Sequence, residues 1–292
     1  MKQENINLQW KKGREQLPVW KQTKDGADWL LEYPALAQTG MVEHCFTTRR
    51  GGVSEGMFST LNLSFTRGDE EAAVRENYRR IAEALQIAPK RFVLSDQTHT
   101  TNIRVVNEAD AGKGLVTPRD YQDVDGLVTN VPELVLATFY ADCVPLFFVD
   151  PAHRAIGLSH SGWRGTVKRM GQATLRVLEE EYGTRPEDVI CAIGPSICRD
   201  CYEVSEDVAE AFIQEFSADA GRMLEEKDNK KYQLDLWEAN RQVLLDAGVL
   251  KTNISMTSLC TCCNHRLLFS HRATNGRRGN LGAFLYLKNT CV

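Results

Sequence analysis

The sequence predicts an α+β fold in one domain, and three observations carry that expectation. Short runs rich in Val, Ile, Phe and Thr outnumber the helical stretches. These runs follow one another without a helix between each pair, which fits a regular doubly wound parallel sheet poorly. No linker rich in Gly, Ser or Pro, no shift of composition and no fixed-period repeat divides the 292 residues. The length is about twice the ~150-residue prior for one domain, so the missing boundary is what favours one large unit over two.

Taken in order, residues 1–36 are polar, with Trp10, Trp20 and Trp29 irregularly spaced, and read as an extension packed onto a body spanning 37–292. Ala73, Tyr78, Ile81, Ala82 and Leu85 mark one face of a helix over 70–88, with Asp69 as N-cap and Pro89 as its stop. Further helices are expected over 165–182, 205–216 and 236–247, the last closed by Gly248. Strands are expected at 92–94, 103–106, 134–140, 144–149, 155–159 and 189–193, with two more near 254–259 and 281–287.

Composition narrows the function. Apolar residues at 42% and charged residues at 25% match an ordinary globular chain and exclude a disordered or fibrous one. A formal charge of -4 supplies no global positive field for a nucleic-acid backbone, so no nucleic-acid partner is expected. The longest apolar stretch, Leu134 to Val149, is broken by Asp142 and Pro145 and is shorter than the ~20 residues that span a bilayer. The N-terminal residues lack the apolar run of a secretory signal, so the cytoplasm is the expected compartment, and there nine cysteines remain thiols.

The chemistry concentrates between Leu134 and Gly165. Two apolar strands flank Asp150-Pro151, a turn signal, so the simplest structure is a hairpin. If Asp150 pairs with Ala155, then Pro145 faces His160 and Cys143 faces Gly162, which brings the thiol and the imidazole together at the open end. A third apolar strand, from Phe92, also runs into a polar tip, ending at His99. His99, Cys143 and His160 form an N, S, N set, and three such donors with one open position suit catalytic zinc. Singly, each has a plainer reading, the histidine as a hydrogen-bonded surface group and the cysteine as a buried hydrophobe. Arg164 sits at a helix start between Gly162 and Gly165, and Arg50 precedes Gly51-Gly52, so both are candidate phosphate contacts. Asp142 is the carboxylate nearest a ligand in sequence and the candidate proton shuttle, although strand alternation turns it to the opposite face from Cys143.

Two cysteine groups lie elsewhere: the C-x-x-C pair Cys198 and Cys201, and the denser group Cys260, Cys262, Cys263 and His265. A structural zinc site is one reading; reduced thiols are favoured because nearly 60 residues separate the groups, against the ~12–20 between common zinc knuckles. The basic stretch Arg266, Arg272, Arg277 and Arg278 has two readings, a phosphate or nucleic-acid patch and a solvated surface, and the acidic total charge favours the solvated surface.

The phrases Arg49-Arg50-Gly51-Gly52-Val53-Ser54, Asn62-Leu63-Ser64, Gln97-Thr98-His99, Ala141-Asp142-Cys143-Val144-Pro145, His160-Ser161-Gly162-Trp163-Arg164-Gly165 and Gly194-Pro195-Ser196-Ile197, in that order, resemble the polyphenol oxidase or laccase-domain family of YfiH and YlmD type. The resemblance covers most of the chain from about residue 40. It implies one four-layer α/β/β/α catalytic domain with mixed sheets, and zinc at His99, Cys143 and His160. It also implies phosphorolysis of adenosine, inosine, guanosine and methylthioadenosine, with deamination of adenosine. The chain departs from the family at Ser159-His160-Ser161, where many relatives carry alanine beside the histidine, and at Thr98-His99-Thr100, where Val-His-Gly is common. No ligand changes. Zinc-activated water would serve the deamination, and an anion site the phosphorolysis.

Other functions share the same residues. A cysteine hydrolase would use Cys143 as nucleophile, His160 as base and Asp142 or Asp125 to orient it. Copper could occupy the same N and S ligands in a phenol oxidase, but efficient oxygen reduction calls for several histidine-rich sites and the chain has six histidines. A non-enzymatic zinc-binding module would rest on the cysteine groups. Purine nucleosides and inorganic phosphate are the expected partners, in a monomer or homodimer.

Overall fold

Two six-stranded sheets share an apolar core in the computed structural model, which describes residues 8–22 and 29–289. The first sheet runs in the order Val19–Trp20, Leu30–Glu32, Val42–Thr47, Leu281–Leu287, Val135–Tyr140, Phe92–Leu94. The second runs Ile254–Met256, Ile190–Ile193, Val144–Asp150, Ala155–Ser161, Gly126–Thr129, Ile103–Val105. Both mix parallel and antiparallel pairs, so the mixed α+β class holds.

The strands bury alternate faces against different partners, as period-two geometry requires. Phe46, Leu136 and Leu285 of the first sheet meet Leu127, Phe147 and Leu158 of the second. The opposite face of the first sheet, with Phe92, Ala137 and Phe284, is covered by the helix Glu71–Ala84 through Val74, Tyr78 and Ile81. That of the second, with Val128, Leu146 and Phe148, is covered by Met170–Tyr182, Glu206–Phe216 and Leu236–Asp246. Because the central strands are buried on both faces, they read in sequence as unbroken apolar runs, which is why they were legible.

The hairpin has the register the sequence predicts: Asp150 pairs with Ala155 and Pro145 with His160. Other elements differ from expectation for identifiable reasons. The helix expected over 70–88 ends at Ala84, where Leu85 caps it and Gln86 turns left-handed at φ 55°. Asp69 does not cap its amides further along the helix; its carboxylate accepts from Glu70 N and Asn62 Nδ2. The helix expected over 165–182 is two, Trp163–Val167 and Met170–Tyr182, with Arg169 between them at φ 57°. Left-handed backbone costs an L-residue about 1–2 kcal/mol. Here the guanidinium pairs with both Glu215 and Asp246, which ties that corner to two neighbouring helices.

A small third sheet of Glu203–Ser205, Lys231–Leu234 and Leu224–Lys227 is absent from the sequence reading, because its strands are charged and carry no apolar alternation. Before residue 37, Leu30 and Leu31 are fully buried and Leu30–Glu32 belongs to the first sheet, so core strand begins inside the segment read as an extension. Trp10 and Trp20 pack against the shared core and Trp29 beneath the helix Glu71–Ala84.

Candidate active site

The open end of the hairpin and the tip after Phe92–Leu94 meet in one place. The ligand atoms of His99, Cys143 and His160 all lie within 4.8 Å of one another. His99 Nε2 stands 3.9 Å from Cys143 Sγ, and the two imidazoles meet edge to face with centroids 5.0 Å apart. Gly162 makes this approach possible, since a Cβ there would stand 3.0 Å from Cys143 Sγ and 3.1 Å from His99 Cδ2.

Asp125 organises the cluster. Its fully buried carboxylate accepts from His160 Nδ1 at 2.8 Å, from His99 N at 3.0 Å, and from Thr98 N and Thr100 N at 2.9 and 3.0 Å. One carboxylate thereby fixes the orientation of His160 and holds the turn on which His99 takes a left-handed φ of 67°. Such an outer partner is what orients a ligating imidazole. Burial raises the Cys143 thiol, but His160 and His99 outweigh it and bring the thiol down to about 6. Burial lowers His160, while Cys143 and Asp125 carry it up to about 9. N, S and N donors at this spacing, with an outer carboxylate in place, fit a borderline-soft divalent metal.

The three residues open onto a cavity of about 570 Å³, within the range of small-molecule sites. Its wall carries Arg67, Arg278 and Asn280 beside the aromatic rings of Phe65 and Phe139. Arg278 is buried, its Nε has no hydrogen-bond partner, and neither it nor Arg67 forms an ion pair among the described residues. Burial, then the neighbouring Arg67 charge, bring the Arg278 guanidinium down to about 10. Two guanidiniums without a salt-bridge partner among the described residues, on the wall of one cavity, could hold an anion.

The remaining sequence candidates lie elsewhere. Asp142 has a φ of 85°, and its carboxylate accepts from Thr261 Oγ1 at 2.6 Å and Arg272 N at 2.7 Å. Ala141 and Cys143 line the cavity and Asp142 does not, because it sits in a left-handed turn between the strands Val135–Tyr140 and Val144–Asp150 rather than in an alternating strand, and its carboxylate is engaged in holding loops. Arg50 and Arg164 are also missing from the lining; Arg164 is exposed and lies 4.3 Å over the Trp163 ring. The basic stretch divides: Arg266 and Arg277 are exposed, Arg272 holds the carbonyls of Cys201 and Glu203, and Arg278 is a buried cavity residue rather than part of a solvated surface. Asp125, named from the sequence only as an orienter in the hydrolase alternative, stands directly before the apolar strand Gly126–Thr129 and reaches His160 Nδ1. Arg67 had none, and Arg278 only the basic stretch around it, because loops about 200 residues apart bring the two together.

Among the described residues no helix is long and apolar enough to cross a membrane. Residues 43–288 match the family described as multi-copper polyphenol oxidoreductase laccase. The chain is 37% identical over 247 residues to a protein named purine nucleoside phosphorylase YlmD from Bacillus subtilis, covering 83% of this chain and 87% of that one. It is 32% identical over 245 residues to a protein named adenosine deaminase from an unknown prokaryotic organism, covering 83% and 93%. The crystal structure of YlmD from Geobacillus stearothermophilus superposes with a TM-score of 0.85 at 34% identity, over 93% of this chain and all of that one. By motif order, sequence and fold alike, this chain belongs to the laccase-like polyphenol oxidoreductase family.

Proposed function

We propose that the chain is a zinc-dependent purine nucleoside phosphorylase that also deaminates adenosine, with His99, Cys143 and His160 as the metal ligands. The observation that carries this reading is the meeting, in one cavity, of an N, S, N donor set and the paired guanidiniums of Arg67 and Arg278. The names of the relatives above support the reaction class. Adenosine, inosine, guanosine and methylthioadenosine are the proposed nucleosides. The apolar clusters support treating the helix, sheet, sheet, helix order as one four-layered catalytic domain that takes in Val19–Trp20 and Leu30–Glu32 along with the body from residue 37. Its proposed compartment is the cytoplasm, as a monomer or homodimer.

Phosphorolysis forms a bond from a phosphate oxygen to ribose C1′ and breaks the bond from C1′ to the purine, whose electron pair leaves with the base and takes up a proton. Arg67 and Arg278, in place of Arg50 and Arg164, hold the phosphate through charge-assisted contacts of roughly 1.5–3 kcal/mol each. Asp125 keeps His160 oriented through Nδ1, and Phe65 and Phe139 offer apolar wall to the base. Zinc, when bound by three protein ligands, supplies Lewis acidity and lowers the pKa of water toward ~7.

The test is a product assay on zinc-loaded protein. With adenosine and phosphate, adenine and ribose 1-phosphate are expected; without phosphate, inosine. Replacing Arg278 with Ala weakens phosphate dependence about tenfold or more and spares deamination. Neither product from fully loaded protein overturns the reading. One observation favours a second: the lowered Cys143 thiol, His160 and Asp125 also form a nucleophile, base and orienter, the arrangement of a cysteine hydrolase. Chelation separates the two, since a hydrolase keeps its activity without metal. Copper at the same ligands is the remaining option, read out by metal analysis of the purified protein.

A further inference from the structure

The two cysteine groups that sequence separation set apart are neighbours in space. Cys198 and Cys201 end one loop, and Cys260 and Cys263 a second, and a parallel bridge between Ser196 and Cys260 lays the loops side by side. All four sulfurs lie within 4.8 Å of one another, with Cys201 and Cys263 at 3.5 Å. A tetrahedral metal with bonds of ~2.3 Å to sulfur sets an edge of about 3.8 Å between ligands, inside that span. Both pairs are C-x-x-C, so the second knuckle is Cys260 and Cys263, while Cys262 and His265 fall outside it. Cys260 Sγ accepts from Cys198 N at 3.3 Å and from Cys263 N at 3.4 Å, amide contacts that suit a thiolate better than a thiol. The Lys11 ammonium lies against Cys198 and Cys263 and donates to Asp200 at 2.8 Å, giving an anionic centre a nearby positive charge.

We propose that Cys198, Cys201, Cys260 and Cys263 bind a second zinc ion in a closed, tetrahedral, structural site. Four thiolates select a thiophilic metal and leave no position for substrate. The ion staples two distant segments, and a third joins them because Lys11 N donates to Ser258 O at 2.9 Å. The staple reaches the cavity through Asp142. Thr261, inside the second knuckle, donates to the Asp142 carboxylate, and Ile197 N, just before the first, donates to Asp142 O at 3.0 Å. Asp142 precedes Cys143, so the structural site braces a ligand of the reactive one.

The test removes the cavity donors and asks whether metal remains. The variant carrying His99→Ala, Cys143→Ala and His160→Ala is purified under reducing conditions, analysed for zinc and reconstituted with cobalt(II). One equivalent of zinc per chain is expected, together with the intense thiolate-to-cobalt absorption of a tetrahedral all-sulfur site. Adding Cys201→Ser should cut zinc retention at least tenfold and weaken that absorption. A folded triple variant that binds neither metal overturns the proposal, as does a native chain in which these cysteines are found in disulfides. The wild-type chain run in parallel covers the case of a variant that does not fold. There, Cys198, Cys201, Cys260 and Cys263 should resist a thiol-blocking reagent until a strong chelator is added, which releases Cys143 with them while Cys45 and Cys191 stay shielded by burial, and reaction of those four without chelator overturns the site.

Discussion

The two clusters of metal-ligating side chains differ in donor set and in access. His99, Cys143 and His160 supply three donors on the wall of a cavity, beside two arginines that have no carboxylate partner among the described residues. Cys198, Cys201, Cys260 and Cys263 supply four donors packed with Trp237, with Cys198 and Cys260 buried. The first arrangement leaves a coordination position for substrate or water, and the second closes the shell. On the functions proposed above, chemistry belongs to the incomplete cluster, and stability to the complete one.

The sharpest break between the clusters comes from removing one donor from each. His160→Ala should abolish turnover and leave the thermal midpoint within a few degrees of wild type. Cys201→Ser should do the reverse, lowering the midpoint and keeping residual turnover per folded molecule. Equal loss of activity and stability in both variants would erase the distinction. Below that in size is Asp125→Asn, which keeps the shape of the buried carboxylate but removes its charge. Loss of an outer partner costs about 10–100-fold in metal affinity or activity, so the expected change is of that order. Zinc titration against a competing chelator measures it, and an unchanged affinity would show that the 2.8 Å contact to His160 does not organise the ligand.

The contrast also explains what the sequence could tell. The hairpin was legible because Asp150-Pro151 marks the turn and period-two pairing then leaves no freedom, so Cys143 and His160 follow from arithmetic. Resemblance supplied the identity and reaction class proposed for the site; spacing alone supplied only the meeting of donors. Arg278 was read as solvated because its burial depends on loops near residues 67 and 280, which no local pattern connects. Cys198 and Cys263 were set apart because separation along the chain stood in for distance, and the Ser196–Cys260 bridge cancels that separation. The charged third sheet escaped for the complementary reason that its strands lack the apolar signature on which strand reading depends.

Gly162→Ala is a smaller perturbation, confined to the open cluster. The backbone at Gly162 is extended, at φ -75° and ψ -178°, so alanine strains nothing there by itself. The added methyl instead meets Cys143 Sγ and His99 Cδ2 at 3.0 and 3.1 Å, and pushes two ligands apart. Overpacking of this kind costs roughly 1–3 kcal/mol. Weaker zinc binding in the cavity with unchanged retention at the four cysteines is the expected result, and loss from both sites would count against their independence.

The smallest effect tests the link between the two regions. Thr261→Val keeps the side-chain outline inside the second knuckle and removes the hydroxyl that donates to Asp142 Oδ1 at 2.6 Å. Asp142 keeps its bond from Arg272 N, so its carboxylate is not left wholly unpaired, and the cost should be about 1 kcal/mol. The substitution touches no ligand of either cluster, so metal content should stay at the wild-type level. What should change is how firmly Asp142 holds the left-handed turn before Cys143. A urea midpoint shifted by that amount, with zinc in the cavity exchanging several-fold faster, would show that bracing passes through this hydroxyl. An unchanged exchange rate beside a lowered midpoint would mean that Thr261 stabilises the loop and transmits nothing to the site.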